Sequence, residues 1–382
     1  MRGLGSSFAP ISPFQRALGQ VDWLMIASTI GLSGIGVLMI YSAIHTNPDL
    51  LSSSLHWKQA IWSAIGLLLL ALILLVDYHY FSRLAYLFYG MVVVMLVLVF
   101  VMGKAVYGAK RWLAIGPIQI QPSELAKLAV ILVFARYFGT CESTDPLRFR
   151  DLFVPLILVL IPVGLVAKQP DLGTGMTILM IASVMVLIVG VQRRVLVYVI
   201  SACVATTPIG WLFLKDYQKK RILTVFNPEA DILGAGYQSM QSKIAVGSGE
   251  IWGKGLLQGT QSRLNFLPEK HTDFVFSVLS EELGFIGGTI LLILFLIFIH
   301  RCLNTALNAG DREGALLATG IGISFFLYTT LNIAMTLGLF PIVGIPLPFV
   351  SYGGSASLTS FIAAGLVLNV RLRRKTFGSF YP

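Results

Sequence analysis

The residues best suited to take part in a reaction occupy a short polar run at 269–273. This run reads Glu-Lys-His-Thr-Asp and leads into a long apolar stretch from Phe274 to His300. Membrane proteins keep ionisable groups beside such stretches mainly for function, because a charge in lipid is costly. Asp273 is therefore the candidate catalytic residue, since a carboxylate can accept a proton or bind a cation. His271 is a candidate substrate contact beside it.

The role of Asp273 depends on where the following helix begins. If Thr272 is the N-cap, Asp273 lies in the first helical turn, where the helix dipole favours the carboxylate and lowers its pKa. A lower pKa weakens a general base but strengthens a metal-binding or hydroxyl-orienting role, so both roles stay open. A purely structural helix cap is the simplest alternative.

Two glutamates lie about two helical turns further along the same apolar stretch. At 100° per residue, Glu281 falls about 80° from Asp273 around the helix, whereas Glu282 falls on the opposite face. This spacing predicts that Glu281 shares a cavity with Asp273 and contacts substrate, and that Glu282 is structural.

A second charged pair opens the apolar window at 122–138, where Glu124 and Lys127 lie three residues apart after Pro122. An intrahelical ion pair is the simplest explanation for this spacing. A buried lysine, however, needs more than one partner to be tolerated. We therefore predict that Glu124 and Lys127 belong to a substrate-binding network inside the bundle.

Three further patches precede predicted helices and contribute candidate substrate-binding residues: Lys110, Arg111 and Trp112 in the first, Asp171 in the second and Ser351 in the third. Cationic side chains suit a phosphate, and an indole suits a sugar face or a membrane interface. Asp171 is equally explained as a helix cap.

The elements that position these residues follow from composition. Hydrophobic residues make up 56% of the chain and charged residues only 12%, and the mean hydropathy is +0.80. These values indicate a multi-spanning integral membrane protein. The first twenty residues lack an apolar core, so no cleavable signal is expected. Cys141, Cys203 and Cys302 are widely spaced, so neither a disulfide framework nor a metal-thiolate site is expected.

Ten apolar windows are each about long enough to cross a bilayer core of about 30 Å. The predicted fold is all-α, a single domain over 1–382 with ten transmembrane helices and a large ordered loop at 215–272 between helices seven and eight. The windows are 22–41, 58–76, 82–102, 122–138, 152–167, 172–190, 194–214, 274–300, 312–338 and 350–370.

Orientation follows from the Lys and Arg content of the short loops. With the N-terminus inside, the inner segments carry fourteen such residues and the short outer loops five. We therefore expect a cytoplasmic N-terminus at 1–21, a cytoplasmic tail at 371–382, and Asp273 on the outer side. The net charge of +10 fits this topology and anionic membrane lipids, so no nucleic-acid partner is expected.

Six motifs together resemble the shape, elongation, division and sporulation (SEDS) family of bacterial cell-wall polymerases, over nearly the whole chain. Segments at 236–238 and 241–249 resemble the elongation branch of the family, with the division branch as the runner-up. The six motifs are GAKRW at 108–112, QPSELAK at 121–127, QPDLGT at 169–174, FLPEKHTDF at 266–274, EELGFIG at 281–287 and PLPFVSYGGS at 346–355.

The resemblance implies a peptidoglycan glycosyltransferase that polymerises lipid II at the outer face of the bacterial cytoplasmic membrane. It also implies that lipid II and the nascent glycan are the substrates, and that a class B penicillin-binding protein and other elongation-complex membrane proteins are partners. The expelled polyprenyl pyrophosphate needs charge neutralisation, by cations of the protein or by a divalent cation such as Mg²⁺ or Mn²⁺, for which Asp273 is a possible ligand.

Two other functions fit a ten-helix protein with intramembrane charges. A lipid II flippase needs polar groups through the full membrane depth, whereas the unusual residues here cluster towards the predicted outer side. A non-catalytic scaffold has no use for costly residues such as Lys127 and Glu281.

Overall fold

The structure is a computed structural model. It describes residues 21–45, 51, 54–106, 109–116, 118–141, 145–231, 234–264, 266–267 and 269–374. Most of the predicted cytoplasmic N-terminus and the tail from Lys375 onwards lie outside the described residues, as do Gly108 and Pro268 of the quoted motifs.

The described chain is a helical bundle, and each of the ten predicted windows coincides with one of its long helices. The helices are α1 (Trp23–Ile44), α2 (Leu55–Leu75), α3 (Tyr78–Arg83), α4 (Ala85–Met102), α5 (Pro122–Gly139), α6 (Phe153–Lys168), α7 (Leu172–Val189), α8 (Arg193–Phe213), α9 (Asp216–Phe226), α10 (Ala235–Ser248), α11 (Thr260–Arg263), α12 (Val275–Leu307), α13 (Arg312–Thr336) and α14 (Gly354–Arg373). Two 3₁₀ turns, Phe149–Leu152 and Pro228–Asp231, precede α6 and follow α9.

Nine helices of the described ranges are long and apolar enough to cross a membrane, which makes the chain a multi-pass membrane protein. The helix α5 is not among the nine. Its 18 residues include Glu124, Lys127 and Arg136, yet most of its side chains are buried against other helices. That α5 is the tenth span stays a prediction.

A small antiparallel sheet joins α4 to α5, in a region predicted only as a loop. Its strands are β1 (Lys104–Val106), β2 (Ala109–Ile115) and β3 (Ile118–Ile120), in the order β1-β2-β3. Lys104 pairs with Trp112 and Leu113 with Ile120. The strands are short, and their pairing is a tertiary feature that periodicity over three residues cannot reveal.

The core lies where α2 packs on α14, α12 on α1 and α13, and α5 on α13. An aromatic cluster of Phe298, Phe325, Phe349 and Phe361 joins these helices, with ring centroids 4.4 to 5.5 Å apart. At the edge of the bundle, α8 buries only Val195 among its residues, so nearly its whole surface is available to lipid.

The helix α12 is interrupted at Gly284, where φ is 66° and ψ is −162°. A neighbouring segment, 249–255, supplies the backbone partners that the break leaves open. Lys254 and Gly255 donate their N–H groups to Glu281 O and Glu282 O, both at 3.0 Å, and Phe285 N donates to Glu250 O at 2.8 Å. The break is therefore satisfied by the loop, in accord with the high cost of unpaired backbone groups.

The two glutamates beside the break hold this same loop. Glu281 Oε1 contacts Lys254 Nζ at 2.7 Å and accepts hydrogen bonds from Thr260 N at 2.7 Å and Gln261 N at 3.0 Å. Glu282 accepts from the Ser42 hydroxyl of α1, a contact that fits the predicted structural role. Glu281 binds the loop through Oε1 alone, because its Oε2 is buried without a hydrogen-bond partner. Its contact with substrate stays a prediction.

The predicted loop at 215–272 contains α9, α10 and α11 within its described part, and α10 packs on α12 and α13. Ser242 of α10 lies 2.7 Å from the Ser277 hydroxyl and donates to Thr336 O at 2.6 Å. The loop is thus attached to the helices on both sides of the site described below.

Ion pairs concentrate at the opposite end of the bundle. Asp22 at the start of α1 contacts Arg301 of α12 and Arg371 of α14, both at 2.6 Å. Arg136 at the end of α5 contacts Glu313 of α13 at 3.0 Å. These pairs fix the predicted cytoplasmic ends of the helices.

We expect Gly253→Ala to destabilise the protein, because φ is +80° and an added Cβ would lie 2.1 Å from Glu282 O. Such backbone strain costs about 1–3 kcal/mol. The matched control is Gly247→Ala in α10, where an added Cβ meets no atom within 4 Å. Thermal unfolding in detergent should show a lower midpoint for Gly253→Ala alone. Equal midpoints would contradict the close packing at the break.

Candidate active site

The site is built around a tight turn at 269–273. The N–H groups of Thr272, Asp273 and Phe274 all point to Glu269 O, at 3.1, 3.2 and 3.4 Å. Glu269 has a φ of 51°, so the turn contains a left-handed residue. The helix α12 begins only at Val275, with Phe274 as its N-cap. The prediction that Thr272 caps the helix and that Asp273 lies in its first turn is therefore wrong.

With this placement, the pKa of Asp273 shifts in the direction opposite to the one expected from the sequence. Burial by the surrounding protein raises the pKa of Asp273 to about 7, and the negative charge of Glu269 acts in the same direction. The positive charges of Arg221 and Arg111 act in the opposite direction but more weakly than burial. Because Asp273 precedes the helix, the dipole argument for a lower pKa fails, and the carboxyl titrates near neutral pH.

The turn is held by the extended segment that precedes α14. Ser351 Oγ donates to Thr272 O at 2.6 Å and accepts from Leu347 N at 2.8 Å. Tyr352 N donates to His271 O at 2.9 Å. Both sides of the Ser351 hydroxyl are thus used within the protein. Ser351, predicted as a substrate contact, instead positions the turn that carries Asp273.

The extended segment, residues 341–353, approaches the carboxylate closely. A Cβ added to Gly344, where φ is +69°, would lie 3.4 Å from Asp273 Oδ2. Phe349 is buried in the aromatic cluster with a φ of 63°, which is strained for a residue other than glycine. Gln59 of α2 anchors the segment by donating to Ser351 O at 3.4 Å and accepting from Gly353 N at 3.3 Å. It also donates to Ser357 Oγ of α14 at 2.9 Å.

Arg111 of β2 joins the hairpin to the turn between α6 and α7. Its guanidinium donates to Gln169 O at 3.3 Å and to Pro170 O, and it lies 3.9 Å from Asp171 Oδ1. Asp171 caps α7 by accepting from Thr174 N at 3.4 Å. Burial raises the pKa of Asp171 despite Arg111. Arg111 and Asp171 both act electrostatically on Asp273, so the three predicted residues lie in one site.

Lys110 and Trp112 flank Arg111 on β2. The register of β2 against β1 shifts here, because Lys104 pairs with Trp112 and Ala105 with Lys110, so Arg111 is the extra residue of a β-bulge and the regular alternation of faces is interrupted. Lys110 is exposed, whereas Arg111 is partly buried against the α6–α7 turn and Trp112 is partly buried. Substrate contacts of Lys110 and Trp112 stay predictions.

Glu124 and Lys127 form a buried network below Asp171. Lys127 Nζ lies 2.7 Å from Glu124 Oε2 and 3.7 Å from the centroid of the Tyr328 ring. The Tyr328 hydroxyl lies 3.2 Å from Thr177 Oγ1 of α7. The lysine therefore has two partners, as predicted. It also lines a cavity of about 20 Å³, room for about one water molecule. A direct contact of this pair with substrate stays a prediction.

His271 and Lys270 flank the turn. The imidazole of His271 lies 5.8 Å from the Tyr352 ring, and burial lowers its pKa. Lys270 is buried, which lowers the pKa of its ammonium to about 8. The segment thus carries three groups whose pKa values are shifted by burial.

Comparison with known proteins decides the family. The family model described as "Cell cycle protein", which covers FtsW, RodA and SpoVE, matches residues 22–376. The chain belongs to this family. The match covers nine-tenths of the chain, including every element of the site, in agreement with the resemblance that the six motifs show.

Curated relatives of the family match over most of their length. The peptidoglycan glycosyltransferase MrdB of Escherichia coli K12 is 41% identical over 313 residues, which cover 82% of this chain and 84% of the relative. The peptidoglycan glycosyltransferase RodA of Treponema pallidum is 32% identical and covers 94% and 99%. Stage V sporulation protein E of Bacillus subtilis is 36% identical and covers 91% and 96%.

Solved structures of the family share the fold. A chain from work on the structural coordination of polymerization and crosslinking by a peptidoglycan synthase complex has a TM-score of 0.79 and 32% identity, over 93% of this chain and 98% of that one. The rod shape determining protein RodA of Thermus thermophilus has a TM-score of 0.67 and 28% identity, over 93% and 97%.

Sequence reasoning missed three residues of the site: Arg221, Gly344 and Asn332. Glu269 and Arg221 act on Asp273 electrostatically. Asn332 donates its amide to Asp273 O at 3.0 Å and to Ile345 O at 2.7 Å. A signal for Asn332 exists in the sequence, because it is an amide within the apolar run of α13.

The donor set fits a divalent cation only in part. Within the described ranges, no group of three or more His, Cys, Asp or Glu side chains is placed to hold a metal ion. Mg²⁺ commonly needs only one or two carboxylates in addition to substrate phosphates. Asp273 and Glu269 could supply these oxygens, whereas the Asp171 carboxylate is used by Thr174 and Arg111. A cation here remains a proposal.

We expect Asp273→Asn to stabilise the folded protein at neutral and alkaline pH. Because the pKa of Asp273 is raised on folding, the wild type loses stability as pH rises from about 4 through about 7, and the asparagine variant does not. Thermal unfolding should show a small advantage for Asp273→Asn at pH 4.5 and the full advantage at pH 8. Equal midpoints at pH 8 would contradict a raised pKa.

Proposed function

We propose that this chain is a peptidoglycan glycosyltransferase that polymerises lipid II into glycan strands during cell elongation. Asp273 is the observation that carries the proposal, because its carboxyl lies at the mouth of α12 and titrates near pH 7. A general base is most effective when its pKa lies near the working pH. The family membership and the glycosyltransferase relatives support this function.

The reaction needs one base and one leaving group. Asp273 removes the proton from the 4-hydroxyl of the acceptor sugar, and the hydroxyl oxygen attacks the anomeric carbon of the donor. The bond from that carbon to the pyrophosphate breaks, and polyprenyl pyrophosphate leaves with the electron pair. An α-linked donor gives a β-linked product, so a single inverting displacement suffices and no second carboxylate is required as a nucleophile.

The leaving pyrophosphate carries negative charge that must be stabilised. Arg111 and Arg221 are the cations that act on Asp273 in this structure, and we assign them to the pyrophosphate. A divalent cation, if bound, would be held by Asp273 and Glu269 and would supply further neutralisation. The raised pKa of Asp273 favours the base over the pure ligand role, since a metal ligand is better served by a low pKa.

The proposal places the site at the outer face of the bacterial cytoplasmic membrane, with both termini cytoplasmic. The excess of Lys and Arg in the inner loops supports this orientation. The two ends of the bundle also differ: ion pairs such as Asp22 with Arg301 hold one end, while the other carries Asp273.

We further propose that a class B penicillin-binding protein crosslinks the product, and that other elongation-complex membrane proteins and membrane lipids surround the enzyme. The structural neighbour that belongs to a peptidoglycan synthase complex supports such a partner.

The direct test is polymerisation of fluorescent lipid II by purified protein, with divalent cation and a cognate penicillin-binding protein whose own site is blocked. We expect glycan ladders from the wild type. For Asp273→Ala we expect the rate to fall by at least roughly 100-fold, because a positioned base contributes about that factor or more. Normal polymerisation by Asp273→Ala would end the assignment. Lipid II crossing liposome membranes without any ladders would support a flippase instead.

The pyrophosphate assignment predicts a different effect for Arg111→Ala. The lipid II concentration needed for half-maximal rate should rise about tenfold, because a charge-assisted hydrogen bond contributes about 1.5–3 kcal/mol. The matched control is Lys110→Ala, which removes the exposed neighbouring charge of β2 and should change that concentration much less. An equal effect of both variants would indicate general electrostatic attraction rather than a contact.

A further inference from the structure

Asn332 is a buried amide with two backbone partners in different segments. The residue is 0% exposed, and its Nδ2 group donates to Asp273 O at 3.0 Å and to Ile345 O at 2.7 Å. One side chain of α13 therefore ties the turn at 269–273 to the extended segment at 341–353. Both hydrogens of the amide are used, which fixes the orientation of the side chain.

This arrangement carries a stability cost. Asn332 Oδ1 is buried without a hydrogen-bond partner, and an unpaired buried acceptor is destabilising. An apolar side chain at this point in α13 would remove that cost, but Asp273 O and Ile345 O would then lose the donor that they share. The amide therefore serves to pair two backbone carbonyl groups of different segments and to hold them together.

We propose that Asn332 is a positioning residue for the reaction, which holds the backbone of Asp273 against the extended segment so that the carboxylate faces the acceptor hydroxyl. The inference rests on the proposed function of Asp273. Asn332 acts through the backbone carbonyl of Asp273, rather than through the carboxylate or the substrate.

Three hydrogen bonds therefore hold three consecutive carbonyl groups of the turn at 269–273, two from the extended segment at 341–353 and one from α13. Tyr352 N binds His271 O, Ser351 Oγ binds Thr272 O and Asn332 Nδ2 binds Asp273 O. Every carbonyl from 271 to 273 is therefore occupied, and the Asn332 link is the one on the catalytic residue itself. A misplacement of about 1 Å at such a site can cost about 100-fold in rate.

Releasing this link should also change the ionisation of Asp273, because the turn would open towards water. The carboxyl would then be better hydrated and its pKa would fall towards the ordinary value. The charged and titratable groups around Asp273 are Glu269, Lys270 and His271 on its own segment, Arg111 on β2, Asp171 before α7 and Arg221 on α9.

The chain contains a matched control at the other end of the bundle. Asn369 of α14 is also 0% exposed, and its Nδ2 group donates to Ile73 O at 2.6 Å and to Val76 O. Ile73 lies fourteen residues beyond Gln59 along α2, or roughly 21 Å from the site end of that helix. The same substitution at Asn369 removes two such donated bonds without touching the turn, together with the two that Asn369 Oδ1 accepts from Tyr78 N and Arg373 Nε, both at 3.1 Å. It is therefore the more disruptive change to local packing.

The experiment compares wild type, Asn332→Leu and Asn369→Leu in full-length protein with the blocked penicillin-binding protein. Initial rates of lipid II polymerisation are measured from pH 5.5 to 9 and over a range of lipid II concentration. For Asn332→Leu we expect a maximal rate roughly 10- to 100-fold lower at an unchanged half-saturating concentration. We also expect the acid limb of its pH profile to move down by about one pH unit.

For Asn369→Leu we expect a loss that follows the loss of folded protein, with the pH profile unmoved. The proposal is overturned if Asn332→Leu behaves in the same way. Should Asn332→Leu fail to fold, Asn332→Ser retains one donor and should show a smaller shift in the same direction, and an unmoved limb in that variant would also overturn the proposal.

A second readout does not depend on the activity. Amide hydrogen exchange of the peptide spanning 269–274 should be faster in Asn332→Leu than in wild type and unchanged in Asn369→Leu. Failure of the wild type to make glycan would contradict the proposed function, whereas an unchanged exchange rate in an active protein would contradict the positioning role of Asn332 alone.

Discussion

The partly buried carboxyl group of Asp273 is the constraint on which the rest of the site depends. A charged group in this position is disfavoured, so the pKa rises to about 7, and the turn would open to water unless it were held. The protein holds it from two directions. Glu269 O accepts from the N–H groups of residues 272–274. The extended segment before α14 occupies the carbonyls of His271 and Thr272, and Asn332 of α13 occupies that of Asp273.

The surrounding elements can be understood as supports for this turn. Gln59 anchors the extended segment to α2, and α10 anchors the long loop to α12 and α13 through Ser242. The break at Gly284 lets the loop segment at 249–255 bind directly to α12. The left-handed residues Glu269 and Phe349 lie in the turn and in the extended segment that meet at Asp273, where backbone strain is expected to serve function.

The sequence predicted the long helices well because each depends on an apolar run of about 20 residues, a property that no tertiary contact can override in a membrane. It also identified Asp273, Arg111 and Asp171, since charged residues beside apolar runs are conspicuous. It failed where a neighbour decides the structure. The start of α12 depends on the turn at Glu269, and the loop contacts of Glu281 depend on Lys254 and Thr260. Ser351 and Asn332 have partners in segments that are distant in the chain, which spacing alone cannot reveal.

The central claim is that Asp273 acts as a base whose pKa burial has moved to about 7. The most direct measurement is the initial rate of lipid II polymerisation by the wild type at saturating substrate from pH 5 to 9. The account predicts a rate that rises roughly tenfold per pH unit at low pH and levels off near pH 7. A rate that is flat over this range, as an aspartate with its ordinary pKa would give, would contradict it.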